Sequence, residues 1–121
     1  MRYVRLYADE AGESHFEQAS LQLDETDYRP PAPPLFVSHA YQANGLQFLR
    51  LPSGWTAESI HPPKQQFLIC LEGHLEVTAS DGEKRTFGPG ESILMEDVAG
   101  KGHRTRVKGG KECVAAVIPV D

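Results

Sequence analysis

A chain of 121 residues and 13.4 kDa is one domain's worth, large enough to bury a core without disulfide staples. Its 40% hydrophobic and 24% charged residues are the balance of a folded protein and exclude a disordered one. A net charge of -5 argues against nucleic-acid partners, no apolar run approaches the ~20 residues that span a bilayer, and the opening MRYVRLYADEAGE lacks the apolar centre of a signal peptide. These exclusions predict a cytoplasmic protein with no membrane or nucleic-acid partner. In that setting Cys70 and Cys113, both in apolar runs, are expected to be reduced and buried.

The predicted elements are short runs rich in β-branched and aromatic residues. In chain order they are Tyr3–Tyr7, Phe16–Leu23, Leu46–Leu51, Gln66–Leu71, Leu75–Ala79, Ser92–Met95, Thr105–Val107 and Cys113–Val120. No stretch repeats apolar residues at helical spacing. Turn chemistry separates the runs. Asp81-Gly82 is a hairpin signal, Gly88-Pro89-Gly90 forces a reversal, Gly100-Lys101-Gly102 gives the backbone freedom before His103, and Gly109-Gly110 is a further hairpin candidate. The first 28 or so residues read as an arm of two strands that covers a sheet edge of this domain or of a second subunit. Pro30-Pro31-Ala32-Pro33-Pro34 cannot donate ladder hydrogen bonds and reads as a stiff polyproline-like connector, with docking to a partner's aromatic groove as the other reading. The expected organisation is a single all-β domain over 1–121, with arm and connector at 1–34 and a barrel of about ten strands at 35–121.

The chemistry concentrates in GWTAESIHPPKQQFLICLEG, from Gly54 to Gly73, and GPGESILMEDVAGKGH, from Gly88 to His103. Together these stretches resemble the two motifs of the cupins, small double-stranded β-helix (jelly-roll) barrels. Six residues, FLICLE, separate Gln66 from Gly73, so Gln66 stands where the family carries Glu. With a four-residue spacing His61 falls at the second His of the first motif and Ser59 at the first, and with a three-residue spacing Pro62 and Ile60 fall there instead; His103 matches the His that ends the second motif, after a stretch from Gly90 about two residues longer than the usual form. HPPKQQF, EDVAGKGHRTRV and, more weakly, YVRLYAD also resemble a group of small bacterial single-domain cupins.

The resemblance implies a pocket containing His61, Gln66 and His103, which could hold a divalent transition metal such as Fe, Mn, Ni or Zn. A standard cupin site has two His, a Glu and a third His, and this chain lacks the first His and replaces Glu by the weaker, neutral Gln. Period-2 alternation places Gln66, Leu68 and Cys70 on one face, His103, Thr105 and Val107 on another, and Phe48 with Arg50 on the strand before the motif. Phe48, Arg50, Trp55 and Glu96 are therefore candidate substrate contacts. Arg50 is suited to a carboxylate or is a surface residue, and Trp55 lines the mouth or packs. Glu96 and Asp97 act as general base or lie in a solvated turn. Pro62 and Pro63 fix the backbone after His61. His15 and His39 have no matched partner, and His74 is expected on a solvated face. No catalytic residue is assigned.

The expected function is small-molecule binding, either by a metal-dependent enzyme acting on a carboxylated or sugar-like metabolite or by a metal-free binding or sensor protein. A homodimer through the arm or a barrel face is expected.

Overall fold

The computed structural model describes residues 1–121 and contains twelve strands and no helix. A six-stranded sheet runs β2 (Ser14–Ser20), β1 (Arg2–Ala8), β10 (Ser92–Met95), β7 (Gln66–Glu72), β12 (Cys113–Pro119), β5 (Gln47–Leu51). A four-stranded sheet runs β6 (Thr56–Ile60), β11 (His103–Lys108), β8 (His74–Ala79), β9 (Lys84–Phe87). The remaining strands, β3 (Asp24–Thr26) and β4 (Leu35–Val37), pair only with each other.

The core is the inner face of each sheet. Leu6, Leu68, Ile93, Ala115 and Val117 of the large sheet pack with Leu75, Val77, Phe87 and Val107 of the small one. Burying each fully enclosed Leu, Ile or Val stabilises the fold by about 1.5–3 kcal/mol. Alternation is plainest in β11, where His103, Thr105 and Val107 are buried and Arg104 and Arg106 are exposed. The outer face of the small sheet is charged: Glu76 accepts from Arg106 at 2.7 Å and meets Lys108 at 3.1 Å, and these cations hold its carboxyl below the usual range. Cys70 and Cys113 are free and fully buried, with sulfurs 4.0 Å apart. Burial, reinforced by Cys113, pushes the Cys70 thiol up to about 12.

One expectation about organisation resolves to one of its two forms and another changes. The two-strand arm covers a sheet edge of its own domain: β1 runs parallel to β10 and β2 closes the same sheet at its edge. The proline run does not link arm to barrel; it lies within the loop of the β3–β4 hairpin, where the Ala32 amide donates to the Arg29 carbonyl. Two of the four unpredicted strands share a cause. The edge strands β6 (TAESI) and β9 (KRTF) are short and polar, as edges tend to be, and pairing rather than propensity makes them strands.

The β1–β2 turn is clasped to the rest of the molecule. His15 was expected to lack partners, but closure of the chain places its Nδ1 2.9 Å from Asp81 and its Nε2 2.7 Å from Asp9. Hydrogen bonds to Asp9 first, then Asp81, raise its pKa above the ordinary 6.5. This contribution to stability is complete below 6.5 and is lost as pH rises through the raised folded value. Thermal melts of wild type and His15→Ala should therefore differ at pH 6 and converge in alkaline buffer, with the gap shrinking in salt because the clasp is exposed. A gap independent of pH would show that His15 acts only through packing.

Candidate functional site

The chain reverses between β6 and β7 at His61-Pro62-Pro63, and beside this reversal the two sheets enclose a cavity of about 200 Å³. Its walls are mostly apolar: Leu49 and Leu51 from β5, Leu68 from β7, Leu75 from β8, Met95 from β10, Val117 from β12, with Trp55 and Ile60. The polar side chains that reach it are His61, Gln66, His103 and Thr105. A larger recess of about 480 Å³, over Ser59, Ser80, Lys101 and Arg104, lies on the open rim of the small sheet, and His103 separates it from the interior.

Each polar group is held differently. His103 opens β11 and is buried; its Nδ1 lies 2.6 Å from Asp97, which is completely buried. The natural arrangement is Nδ1–H donating to the carboxylate, which leaves Nε2 as the ring's free acceptor. The second Asp97 oxygen and the Thr105 hydroxyl have no partner within the protein. His61 is exposed and its Nε2–H donates to the Gly100 carbonyl at 2.6 Å, tying the β6–β7 corner to the loop that delivers His103. Gln66 begins β7 and is half-buried.

Three local features place His103. From His103 to Thr105 is two residues, while their partners Ile60 and Ala57 are three apart, so β6 carries a bulge. Ser59 takes a φ of +49° within it. Gly102 has a φ of +73°, and a β-carbon there would sit 2.5 Å from the Ile60 carbonyl. Finally, the fully buried Ser14 of β2 donates to the Gly102 carbonyl at 2.7 Å and accepts from the Ser80 amide at 2.7 Å. The edge strand β2 thus braces the residue before His103.

The structure brings His61, Gln66, His103 and Trp55 to one cavity and leaves the other candidates out of it. Phe48 and Arg50 lie on the outer face of β5, the first 68% exposed and the second loosely paired with Glu112 at 3.6 Å. The inward residues are Leu49 and Leu51. Glu96 faces outward and accepts from Arg5 at 2.6 Å. Ser59 sits in the bulge, outside the cavity. Asp97 is no solvated turn residue; it is the buried partner of His103, and its position six residues before that His was the one signal available.

As a metal centre the predicted set of His61, Gln66 and His103 is poor. His61 spends its Nε2 on a backbone carbonyl, Gln66 is a neutral amide, and no three His, Cys, Asp or Glu side chains converge. The carboxylate behind His103 resembles the support often given to a metal-bound imidazole, but one such imidazole cannot hold an ion alone. The residues do not fit the metal centre of His61, Gln66 and His103 that the resemblance implied.

No curated protein matches the chain. The solved structure of protein NMB1881 from Neisseria meningitidis is similar over 70% of this chain and 89% of its own, at 20% identity and a TM-score of 0.45. The family model described as the cupin domain matches residues 47–119. That span is more than half of the chain and holds every residue lining the cavity. The fold is a jelly-roll barrel, and the chain belongs to the cupin domain family.

Proposed function

We propose that this cupin binds a compact, largely apolar molecule bearing one acidic or carbonyl oxygen, and does so without a resident metal. The observation that carries the reading is the make-up of the cavity: apolar walls on both sheets, with His103, Gln66 and Thr105 as the inward polar contacts. An engineered apolar cavity of about 150 Å³ accommodates benzene. The roughly 200 Å³ here therefore suits a single ring or a short branched chain with a polar head. A sugar would leave several hydroxyls against Leu, Val and Met without partners, at a cost of about 1–3 kcal/mol each. His103, with Asp97 behind Nδ1, would present Nε2 as a hydrogen-bond acceptor to the ligand's O–H or, in its other tautomer, as a donor to a carbonyl oxygen. The metal-dependent enzyme is the weaker of the two functional readings on the donors described above.

The test is a thermal-shift screen, with and without chelator, of single-ring and short-chain carboxylates, phenols and ketones beside sugars. A ligand at about a hundredfold its Kd should stabilise the protein by about 2.7 kcal/mol, roughly 10 °C, and chelation should leave this intact. Stabilisation by sugars alone, or only with added metal, would overturn the reading. Thr105→Val supplies an independent check. Removing a buried hydroxyl that has no protein partner should leave the unliganded protein as stable or up to about 1 kcal/mol more stable, while weakening ligand binding several-fold.

A further inference from the structure

The chain is acidic, with 12 Lys and Arg against 17 Asp and Glu. The outer face of the small sheet reverses that balance: it carries Lys84, Arg104, Arg106 and Lys108 against Glu58 and Glu76. Glu76 is already committed to Arg106 and Lys108. Lys84, Thr78 and Arg104 stand opposite one another on β9, β8 and β11, so two cations flank one hydroxyl. Lys84 has no carboxylate within ion-pair reach, and its neighbour Glu83 is taken by Arg85. Arg104 has Glu58 alone, at 3.6 Å, and both of these side chains are more than half exposed.

This row borders open space on two sides. One side is the recess of about 480 Å³, and the other is a groove of about 200 Å³ with no hydrophobic side chain in its lining. Thr78 and Arg104 line both. Ser59, in the β6 bulge, borders the recess with a φ of +49°, a conformation that persists where the surrounding structure fixes it. Lys101, held by Glu13, adds a third cation at the rim. We propose that this rim is a second binding site, one that takes the phosphate monoester of a small polar molecule, with the phosphate at Arg104, Lys84 and Thr78. A phosphate has three acceptor oxygens, enough to meet all three side chains, whereas a carboxylate has two. The guanidinium fork suits a phosphate, and the polar walls suit a hydroxylated body. The site is separate from the apolar cavity, which lies on the other side of His103. Glu58 is its internal competitor, because the incoming phosphate replaces that carboxylate on Arg104.

The test is an NMR titration of isotope-labelled protein with glycerol phosphate, at fixed ionic strength because salt screens an exposed charged site. Amides around Ser59, Thr78 and Arg104 should shift and saturate. Glycerol should shift none of them, and inorganic phosphate should bind more weakly than the ester. Arg104→Gln should weaken binding about tenfold, the loss of one charge-assisted contact. Glu58→Gln should tighten it several-fold, since no carboxylate then competes for the guanidinium. Both side chains are exposed, so amides elsewhere should stay in place in each variant. If Arg104→Gln disturbs the fold, Lys84→Gln replaces it, with a similar loss expected. Shifts that do not saturate, binding that survives loss of the cation, weaker binding in Glu58→Gln, or inorganic phosphate binding as tightly as the ester would each overturn the proposal.

Discussion

Asp97→Ala is expected to destabilise the protein by about 3 kcal/mol and to abolish ligand binding in the cavity, whereas Glu96→Ala, one residue earlier, should cost under about 1 kcal/mol and leave binding intact. The two acids face opposite ways. Glu96 is part-exposed and shares Arg5 with Glu17, so its loss leaves the guanidinium another partner and water. Asp97 is fully buried and is the Nδ1 partner of His103 at 2.6 Å. Its removal strands a buried N–H, and breaking a buried pair from one side costs about 3–5 kcal/mol. The lower end applies because the second Asp97 oxygen already lacks a protein partner, so the deletion also relieves a buried unsatisfied group. Asp97→Asn separates orientation from charge. Its amide oxygen can accept from Nδ1, so most of the stability should return, about 1 kcal/mol below wild type, while ligand binding stays weak for want of the charge-assisted bond from a carboxylate to Nδ1–H. Chemical denaturation and the ligand thermal shift measure the two effects. Equal costs at positions 96 and 97, or undiminished binding in Asp97→Ala, would remove Asp97 from the site.

Features set by neighbours in sequence were legible, and features set by closure were not. Asp81-Gly82 does turn β8 into β9, because its backbone preferences are local. His103, Thr105 and Val107 do share the inner face of β11. In β5, both parities are partly apolar: Phe48 with Arg50, Leu49 with Leu51. Pairing with β12 turned the leucines inward, and the charge of Arg50 was the only hint. The parity rule also ends where a strand ends. Glu96 and Asp97 follow β10, so nothing in their spacing said that the first would reach Arg5 and the second turn under the sheet to His103. His15 is the extreme case, since its partners lie six and sixty-six positions away. Motif spacing found His61, Gln66 and His103 but not how they are held. The Gly100 carbonyl on His61 and Asp97 behind His103 are what turn a metal-like spacing into an apolar cavity with one strongly supported imidazole.

Gly102→Ala should be among the most damaging single-methyl additions to this chain, lowering stability by about 3–4 kcal/mol and removing the ligand response, although the residue touches no ligand. A left-handed backbone costs an L-residue about 1–2 kcal/mol. The new methyl would also lie 2.5 Å from the Ile60 carbonyl, closer than packed atoms tolerate. That carbonyl belongs to backbone held by the β6 bulge, where Ser59 already takes a φ of +49°, so it has little room to retreat. The movement must then be taken by β11, whose first residue is His103, and by the Ser14 bond to the Gly102 carbonyl. Gly82→Ala supplies the internal control. Its φ of +96° carries a similar backbone penalty, but nothing lies within 4 Å of its added methyl. Gly82→Ala should therefore cost about 1–2 kcal/mol and keep ligand binding. The excess at Gly102 measures how tightly the bulge and β2 fix His103. Equal losses at the two glycines would mean that the loop yields freely, and the cavity would then owe its shape to the apolar walls rather than to the brace behind the imidazole.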